Sequence, residues 1–120
     1  MPVTVHVAPL QVSDGKLISV GGSLDMQTTA ELDQTCQSLM RTGSKRLLFD
    51  LSRLEYINSQ GMGVILQLQK QLWRKGGGVA LAACSDRVGK IFLATGIDKV
   101  IPVYRSVKQA LAEDPMFTGG

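Results

Sequence analysis

The sequence predicts an α/β domain with a mixed β-sheet, in which an N-terminal antiparallel hairpin is followed by parallel strands. Valine alternates with polar residues over residues 3–7, and a Ser-Asp-Gly turn follows at residues 13–15, a pattern typical of a β-hairpin. Residues 45–52 and 79–84 form short apolar runs, typical of parallel strands buried on both faces. Segments with helical periodicity separate these strands, so we expect helices packed mainly on one face of the sheet.

The first predicted helix follows two predicted strands, residues 3–10 and 16–22. Thr28 and Glu31 form a capping-box pattern, which predicts a helix start just after Thr28. Gly43 is placed to end this helix, because helices commonly close on a glycine in the left-handed conformation. The apolar residues that recur at helical spacing are Leu32, Cys36, Leu39 and Met40.

The second helix is predicted to begin in the stretch INSQGMGVIL, where Asn58 or Ser59 is suited to the N-cap position. Gly61 and Gly63 fall in its first turns, although glycine inside a helix costs up to about 1 kcal/mol relative to alanine. The residues alone leave two reasons open: close packing of the helix on the sheet, or a bare surface that admits the backbone of a partner. The apolar stripe expected to face the core comprises Met62, Ile65, Leu68 and Leu72.

The rest of the chain predicts two further helices and one weak strand. A short helix should end at Gly96, and the strand predicted over residues 98–104 contains a proline, which favours a sheet edge. A terminal helix follows, and residues 114–120 are expected to form a flexible tail. The domain is therefore predicted to span residues 1–113, since 120 residues suit one domain.

Composition argues against several classes of protein. The 13 Lys and Arg residues outnumber the 10 Asp and Glu residues only slightly, and they are scattered without interleaved aromatics, so direct nucleic-acid binding is disfavoured. Cys36 and Cys84 lack the spacing of a zinc site or disulfide framework and suit small core residues in a reducing compartment. Neither a signal peptide nor an apolar run of about 20 residues is evident, so we expect a cytoplasmic protein without stable membrane insertion.

Catalytic chemistry is not expected either. The one histidine, His6, lies on a predicted strand, and the acidic residues do not cluster with His or Cys. Neither a nucleophile–base pair nor a metal site can be assembled from these residues. The segments DRVGKI and GMGVIL are incomplete as a phosphate loop and a dinucleotide-binding motif. We therefore expect no enzyme activity, no metal and no cofactor.

Ser59 is the residue best placed for a covalent modification such as phosphorylation. The first turn of a helix presents free N–H groups and the positive end of the helix dipole. A phosphate there would add about −1.5 to −2 charges at a place that tolerates an anion. The sequence thus predicts an exposed serine that could be modified without breaking the fold.

Three segments together resemble one known family. LLFDLSRLEYINSQGMGVIL is similar to the signature of the STAS domain family, in particular of bacterial anti-sigma-factor antagonists. GGSLDMQTTAEL resembles an earlier segment of that family, and GIDKVIPVYRSVKQAL resembles its C-terminal end. The resemblance covers Val3 to Ala112, with the segments in the family's order.

The resemblance implies a protein-interaction switch. In such antagonists the serine at the Ser59 position is phosphorylated by a partner that is both an anti-sigma factor and a serine kinase of the histidine-kinase-like ATPase fold. The unphosphorylated form binds that partner, and a PP2C-type phosphatase resets the switch. Asn58 stands where many members have Asp, and Gln60 is larger than the usual residue. The residues implied to contact the partner are Ser23, Asp25, Asn58, Gln60, Gly61, Met62 and Gly63.

Other interpretations stay open at this point. Asp25 could act near the phosphorylation site, as the resemblance implies, or it could cap the loop that leads into the first helix. The same domain could instead be a scaffold subunit of a larger signalling assembly or of a membrane transport system. A nucleotide-binding or hydrolysing domain is a third class, although the chain lacks a phosphate loop.

Overall fold

A single sheet forms the centre of the domain in the computed structural model, which describes residues 3–118. Its strands are β1 (Val3–Pro9), β2 (Gly15–Leu24), β3 (Arg46–Ile57), β4 (Gly78–Ala82) and β5 (Val103–Tyr104). Their order across the sheet is the same as their order in the chain. β1 pairs antiparallel with β2, and every later pair is parallel, which confirms the predicted hairpin and mixed sheet.

Helices cover both faces of this sheet unequally. They are α1 (Thr29–Arg41), α2 (Ser59–Trp73), α3 (Asp86–Thr95), α4 (Val107–Glu113) and α5 (Pro115–Thr118), with a 3-10 helix at Ile97–Lys99. The three longer helices, α1 to α3, pack on one face, and the short α4 and α5 pack on the other. This arrangement confirms the prediction that the helices lie mainly on one face.

The start of β3 is buried on both faces, as its apolar run predicts. Leu47 and Phe49 point into the larger cluster with α1 to α3, while Leu48 belongs to the smaller cluster with α4 and α5. All three side chains are fully buried. Burying such a side chain stabilises the fold by about 1.5–3 kcal/mol, so this strand is a principal source of core stability.

The far ends of β2 and β3 extend beyond their predicted limits. β2 continues to Leu24 and β3 to Ile57, whereas the sequence predicted ends at Gly22 and Ser52. Register shifts in the β2–β3 pairing interrupt the alternation of buried and exposed residues, so that Ser52 and Arg53 are both exposed. The extra length carries both strands to the edge of the sheet where the candidate site lies.

The start of α1 is where the sequence predicts it, but the predicted capping box is wrong. The Thr28 side chain makes no cap hydrogen bond to the helix. Its hydroxyl donates to the Ser23 carbonyl oxygen at 2.6 Å and accepts from the Asp25 N–H at 3.0 Å. Thr28 therefore holds the loop between β2 and α1. At the other end, Gly43 has φ +103°, which confirms its predicted role in closing the helix.

The C-terminal part differs from its prediction in two places. Most of the predicted strand over residues 98–104 is instead the 3-10 helix and a loop, and only Val103–Tyr104 pair with β4. The expected flexible tail is not found over residues 114–118, because α5 packs against the sheet. Phe117 and Asp114 are buried there.

Two side-chain hydrogen bonds hold this C-terminal segment in place. The Tyr104 hydroxyl donates to Asp114 Oδ2 at 2.8 Å, and Arg46 Nη1 donates to the Met116 carbonyl oxygen at 2.9 Å. Burial and the bond to Asp114 raise the pKa of Tyr104 to about 12. Residues 119–120 of the predicted tail lie outside the described part of the chain.

Candidate functional site

The candidate site lies where the parallel strands β2 and β3 end side by side. Their register pairs Leu24 with Ile57, so the segments that follow them emerge together. The Asn58 N–H donates to the Leu24 carbonyl oxygen at 3.0 Å, which ties the start of α2 to the end of β2. Sheet topology therefore brings together the two segments that the sequence singled out, Ser23–Asp25 and Asn58–Gly63.

Asn58, and not Ser59, is the N-cap of α2. Its backbone is extended, with φ −105° and ψ −172°, and its Oδ1 accepts a hydrogen bond from the Gly61 N–H at 3.0 Å. Ser59 is the first helical residue, and its side chain is exposed. Because the asparagine supplies the cap, the Ser59 hydroxyl is not needed to hold the helix.

The two glycines of the first turns have different roles. A Cβ at Gly61 would lie 2.8 Å from Ile57 Cγ1 and 2.9 Å from Leu24 Cβ, so only glycine lets α2 approach the strand ends so closely. A Cβ at Gly63 would meet no heavy atom of the described chain within 4 Å. Gly61 is buried, and the prediction that it contacts a partner does not fit its position. Gly63 is the bare, exposed glycine.

Asp25 organises the loop beside α2. Its Oδ1 accepts hydrogen bonds from the N–H groups of Gln27 at 2.9 Å and Thr28 at 3.1 Å, and from the Thr28 hydroxyl at 3.2 Å. The bond from the Gln27 N–H is the main cause that lowers the pKa of Asp25, with the bonds from Thr28 adding to it. Asp25 is thus a charged loop cap, one of the two roles left open by the sequence, and it is only half-buried.

The remaining predicted contact residues are at least partly accessible. Ser59, Gln60 and Gly63 are exposed, while the half-buried members are Ser23, Asp25, Asn58 and Met62. Sequence reasoning missed Met26, whose side chain is 72% exposed in the loop between β2 and α1. The sequence did contain a signal for it, since Met26 is a large apolar residue between the polar Asp25 and Gln27 in a predicted loop. We define the Ser59 surface as the exposed residues Met26, Ser59, Gln60 and Gly63 together with the half-buried Asp25 and Met62.

The Ser59 surface has one acidic residue, Asp25, and none on α2. The segment Asn58–Ser85 contains no Asp or Glu, and the first turn of α2 therefore has no acidic residue. The N-terminal N–H groups of α2 favour an anion by about 0.3–1 kcal/mol. Asp25 brings the nearby negative charge, so a second anion on Ser59 would change the electrostatics of this surface strongly.

The two cysteines are not members of this surface. Cys36 is buried in the core, and burial, with a smaller effect of the nearby Asp33 charge, raises its pKa to about 12. Burial also raises the pKa of the half-buried Cys84. Over residues 3–118, no three His, Cys, Asp or Glu side chains are grouped to hold a metal ion, and no helix is long and apolar enough to span a bilayer.

Fold and site together define a small α/β domain with an accessible helix start and an adjoining loop at one edge of its sheet. A model of the STAS domain matches residues 8–110, and the chain belongs to the STAS domain family. An anti-sigma-B factor antagonist of Staphylococcus aureus is 28% identical over 86 residues, which cover 72% of this chain and 80% of the relative.

Solved structures agree with this assignment. The crystal structure of an anti-sigma factor antagonist from Mycobacterium paratuberculosis matches with a TM-score of 0.81 and 25% identity, and the match covers 92% of both chains. The structure of the Bacillus cell fate determinant SpoIIAA in its phosphorylated form shares the fold, with a TM-score of 0.70 and 16% identity over 91% of this chain and 97% of that chain.

Proposed function

We propose that this protein is an anti-sigma factor antagonist whose Ser59 surface binds an anti-sigma factor while Ser59 is unphosphorylated. The observation that carries the proposal is the exposed Ser59 side chain at the first position of α2, released from capping by Asn58. The names of the S. aureus and M. paratuberculosis relatives support the antagonist role. The protein then acts by binding and as a substrate, not as an enzyme.

The partner in this proposal is an anti-sigma factor that is also a serine kinase of the histidine-kinase-like ATPase fold. Binding sequesters the partner and frees the sigma factor. Phosphorylation of Ser59 by the same partner ends the binding, and a PP2C-type phosphatase restores it. These partners follow from the family resemblance of the segment around Ser59.

The phosphate acts on the complex and not on the fold. At the first position of α2 it meets the positive end of the helix dipole, which favours it by about 0.3–1 kcal/mol. In a close interface the same dianion has to be desolvated, and it adds to the negative charge that Asp25 supplies in the adjoining loop. Binding is therefore weakened while the domain stays folded.

A kinase and binding assay tests the proposal. Purified anti-sigma factor kinases of the source organism are incubated one by one with this protein and ATP, followed by peptide mass spectrometry and a binding titration. We expect phosphate on Ser59 and weaker binding of the modified form. Ser59→Ala should bind without being phosphorylated, and Ser59→Asp should fold normally but bind weakly.

Ser85→Ala is the matched control, because Ser85 also stands at a helix start but caps its helix. It should be phosphorylated at Ser59 like the wild type. Phosphate on Ser85 or Ser52 in place of Ser59, or full binding by the Ser59-phosphorylated form, would refute the switch.

A further inference from the structure

The exposed side of α2 carries a stripe that begins at the Ser59 surface and runs to the other end of the helix. On the opposite side, Ile65, Leu68 and Leu72 are buried in the core. Residues three or four positions apart lie on the same side of a helix. Leu66 is 38% exposed and Trp73 is 72% exposed. This α2 stripe comprises Ser59, Met62, Gly63, Leu66, Lys70 and Trp73.

A groove of about 460 Å³ lies at the far end of the α2 stripe. It is formed between α2 and the segment after the 3-10 helix, where Val100 is 58% exposed. Large apolar side chains grouped on a surface are a common mark of an interaction site. The groove is lined by Leu66, Gln69, Lys70, Trp73 and Val100.

The surroundings of the groove are mainly basic, although the half-buried Asp98 lies on the same segment as Val100. Lys70 lines it, Lys99 precedes Val100, and Arg74 and Lys75 follow Trp73 at the end of α2. No acidic residue occurs in the chain from Asn58 to Ser85. Charge complementarity therefore requires an occupant with acidic residues around an apolar centre.

We propose that this groove docks an amphipathic helix of the same anti-sigma factor, with an apolar residue in the groove and acidic residues beside Lys70 and Lys99. The proposal rests on the proposed function, because it extends the interface that begins at Ser59. From Ser59 to Trp73 the rise of α2 is about 21 Å, at about 1.5 Å per residue. One partner can cover that length, since a typical interface buries about 800 Å² on each side.

Two other occupants fit less well. A second copy of this chain would bring the same basic residues to the groove and would be repelled. An anionic membrane would attract Lys and Arg, but it has no side chain to enter a concave groove. A partner helix with one apolar anchor and acidic flanks satisfies both the shape and the charge.

Trp73→Ala tests the groove with the anti-sigma factor used in the Ser59 experiment. We expect about a tenfold or greater loss of affinity, because a tryptophan that becomes buried at the centre of an interface commonly carries much of the binding energy. Phosphorylation of Ser59 should lower the affinity of both the wild type and Trp73→Ala, because the two ends of the α2 stripe contribute separately to binding. Leu93→Ala is the matched control, since Leu93 is 69% exposed on α3, and it should bind like the wild type.

Charge reversal supplies a second comparison. Lys70→Glu should weaken binding, whereas Lys90→Glu, with the same change in net charge on α3, should not. If the wild type binds and Trp73→Ala binds equally well, the groove proposal is wrong while the proposed function stands. If the wild type binds none of the anti-sigma factors, the proposed function fails. The groove is then tested separately by the tryptophan fluorescence experiment that follows.

Trp73 is the only tryptophan of the chain, so its emission reports directly on the groove. The probe is a synthetic helical peptide of about five turns with leucine on one face and glutamate on the other. We expect a blue shift with this peptide, weakened by salt, and none with the matching lysine peptide. No shift, an equal shift with the lysine peptide, or a shift only with phosphatidylglycerol vesicles would overturn the proposal.

Discussion

Helices α2 and α3 both begin at the ends of parallel strands, yet they use serine in different ways. Asn58 caps α2 and leaves Ser59 as the first helical residue. Ser85 itself caps α3, because its Oγ accepts a hydrogen bond from the Val88 N–H at 3.2 Å. A shift of one position relative to the cap therefore decides whether a serine hydroxyl accepts a hydrogen bond from the helix or makes no cap bond to it.

The charge at the first helical position differs as well. α3 has Asp86 at the place where α2 has Ser59. In the proposed switch, phosphorylation would give α2 the negative charge that α3 carries permanently. The comparison shows how a helix start can accept such a charge without a change of backbone, so that the effect falls on whatever binds there.

Truncating a core-facing side chain should destabilise the protein by a similar amount in α2 and in α3. Leu68 of α2 and Phe92 of α3 are both fully buried or nearly so. Leu68→Ala is expected to cost about 2–5 kcal/mol and Phe92→Ala about 3–5 kcal/mol of unfolding free energy, because each leaves a cavity. Urea unfolding followed by circular dichroism measures both. A stable Leu68→Ala protein that no longer binds its partner would contradict the proposal, because it would mean that the interface includes the Leu68 side of α2.

The glycines near the helix starts should respond differently to alanine. Gly61→Ala is expected to cost about 1–3 kcal/mol, because the new Cβ would overlap Ile57 and Leu24. Gly89→Ala in α3 meets only Cys84 Sγ at an ordinary 3.6 Å and should be tolerated. Gly63→Ala should stabilise the fold by up to about 1 kcal/mol. Thermal unfolding of the three variants tests the order, and a tolerated Gly61→Ala would contradict the packing role.

Replacing Ser85 and Ser59 by alanine should affect stability differently, because the Ser85 hydroxyl caps a helix and the Ser59 hydroxyl does not. Ser85→Ala is expected to cost about 1 kcal/mol, because the cap of α3 is lost. Ser59→Ala should change stability by less than about 0.5 kcal/mol, as is usual for an exposed residue. Equal losses in chemical denaturation would mean that Ser59 shares in capping α2.

A reciprocal charge exchange gives the smallest expected effect. Ser59→Asp should stabilise α2 by about 0.3–1 kcal/mol, and Asp86→Ser should destabilise α3 by a similar amount, both through the helix dipole. Raising the salt concentration should shrink both effects. Destabilisation by Ser59→Asp at low salt would show that repulsion from Asp25 outweighs the dipole.

Much of this arrangement follows from local patterns in the chain. The spacing of Ile65, Leu68 and Leu72 fixes the buried side of α2, whereas Met62, predicted to face the core with them, is only half-buried at its margin. The resemblance around Ser59 locates the candidate site. Gly61 and Gly63 look alike in the sequence. The close approach of Ile57 and of Leu24, which is distant in the chain, separates the packing glycine from the bare one, and this approach depends on the assembled sheet.

Competing hydrogen bonds explain the errors. Thr28 is an equally good cap for α1 or partner for the Ser23 carbonyl oxygen, and the sequence does not decide between them. The C-terminal segment depends on Asp114 meeting Tyr104 and on Arg46 reaching Met116. Such pairs form only once the sheet is assembled, so the tail could not be recognised as ordered from its own composition.

The hydrogen bond from Arg46 to the Met116 carbonyl oxygen also fixes the position of the C-terminal segment near the start of β3, which matters for attaching the domain to a surface. Arg46 starts β3 and Ile57 ends it, so the strand separates these two residues by at most roughly 36 Å at about 3.3 Å per residue, and Asn58 follows Ile57. An affinity tag or biosensor linker attached after Thr118 would therefore leave from the end of the molecule opposite Ser59. Immobilised in this way, the domain would present Ser59 and its neighbours to the solution without obstruction.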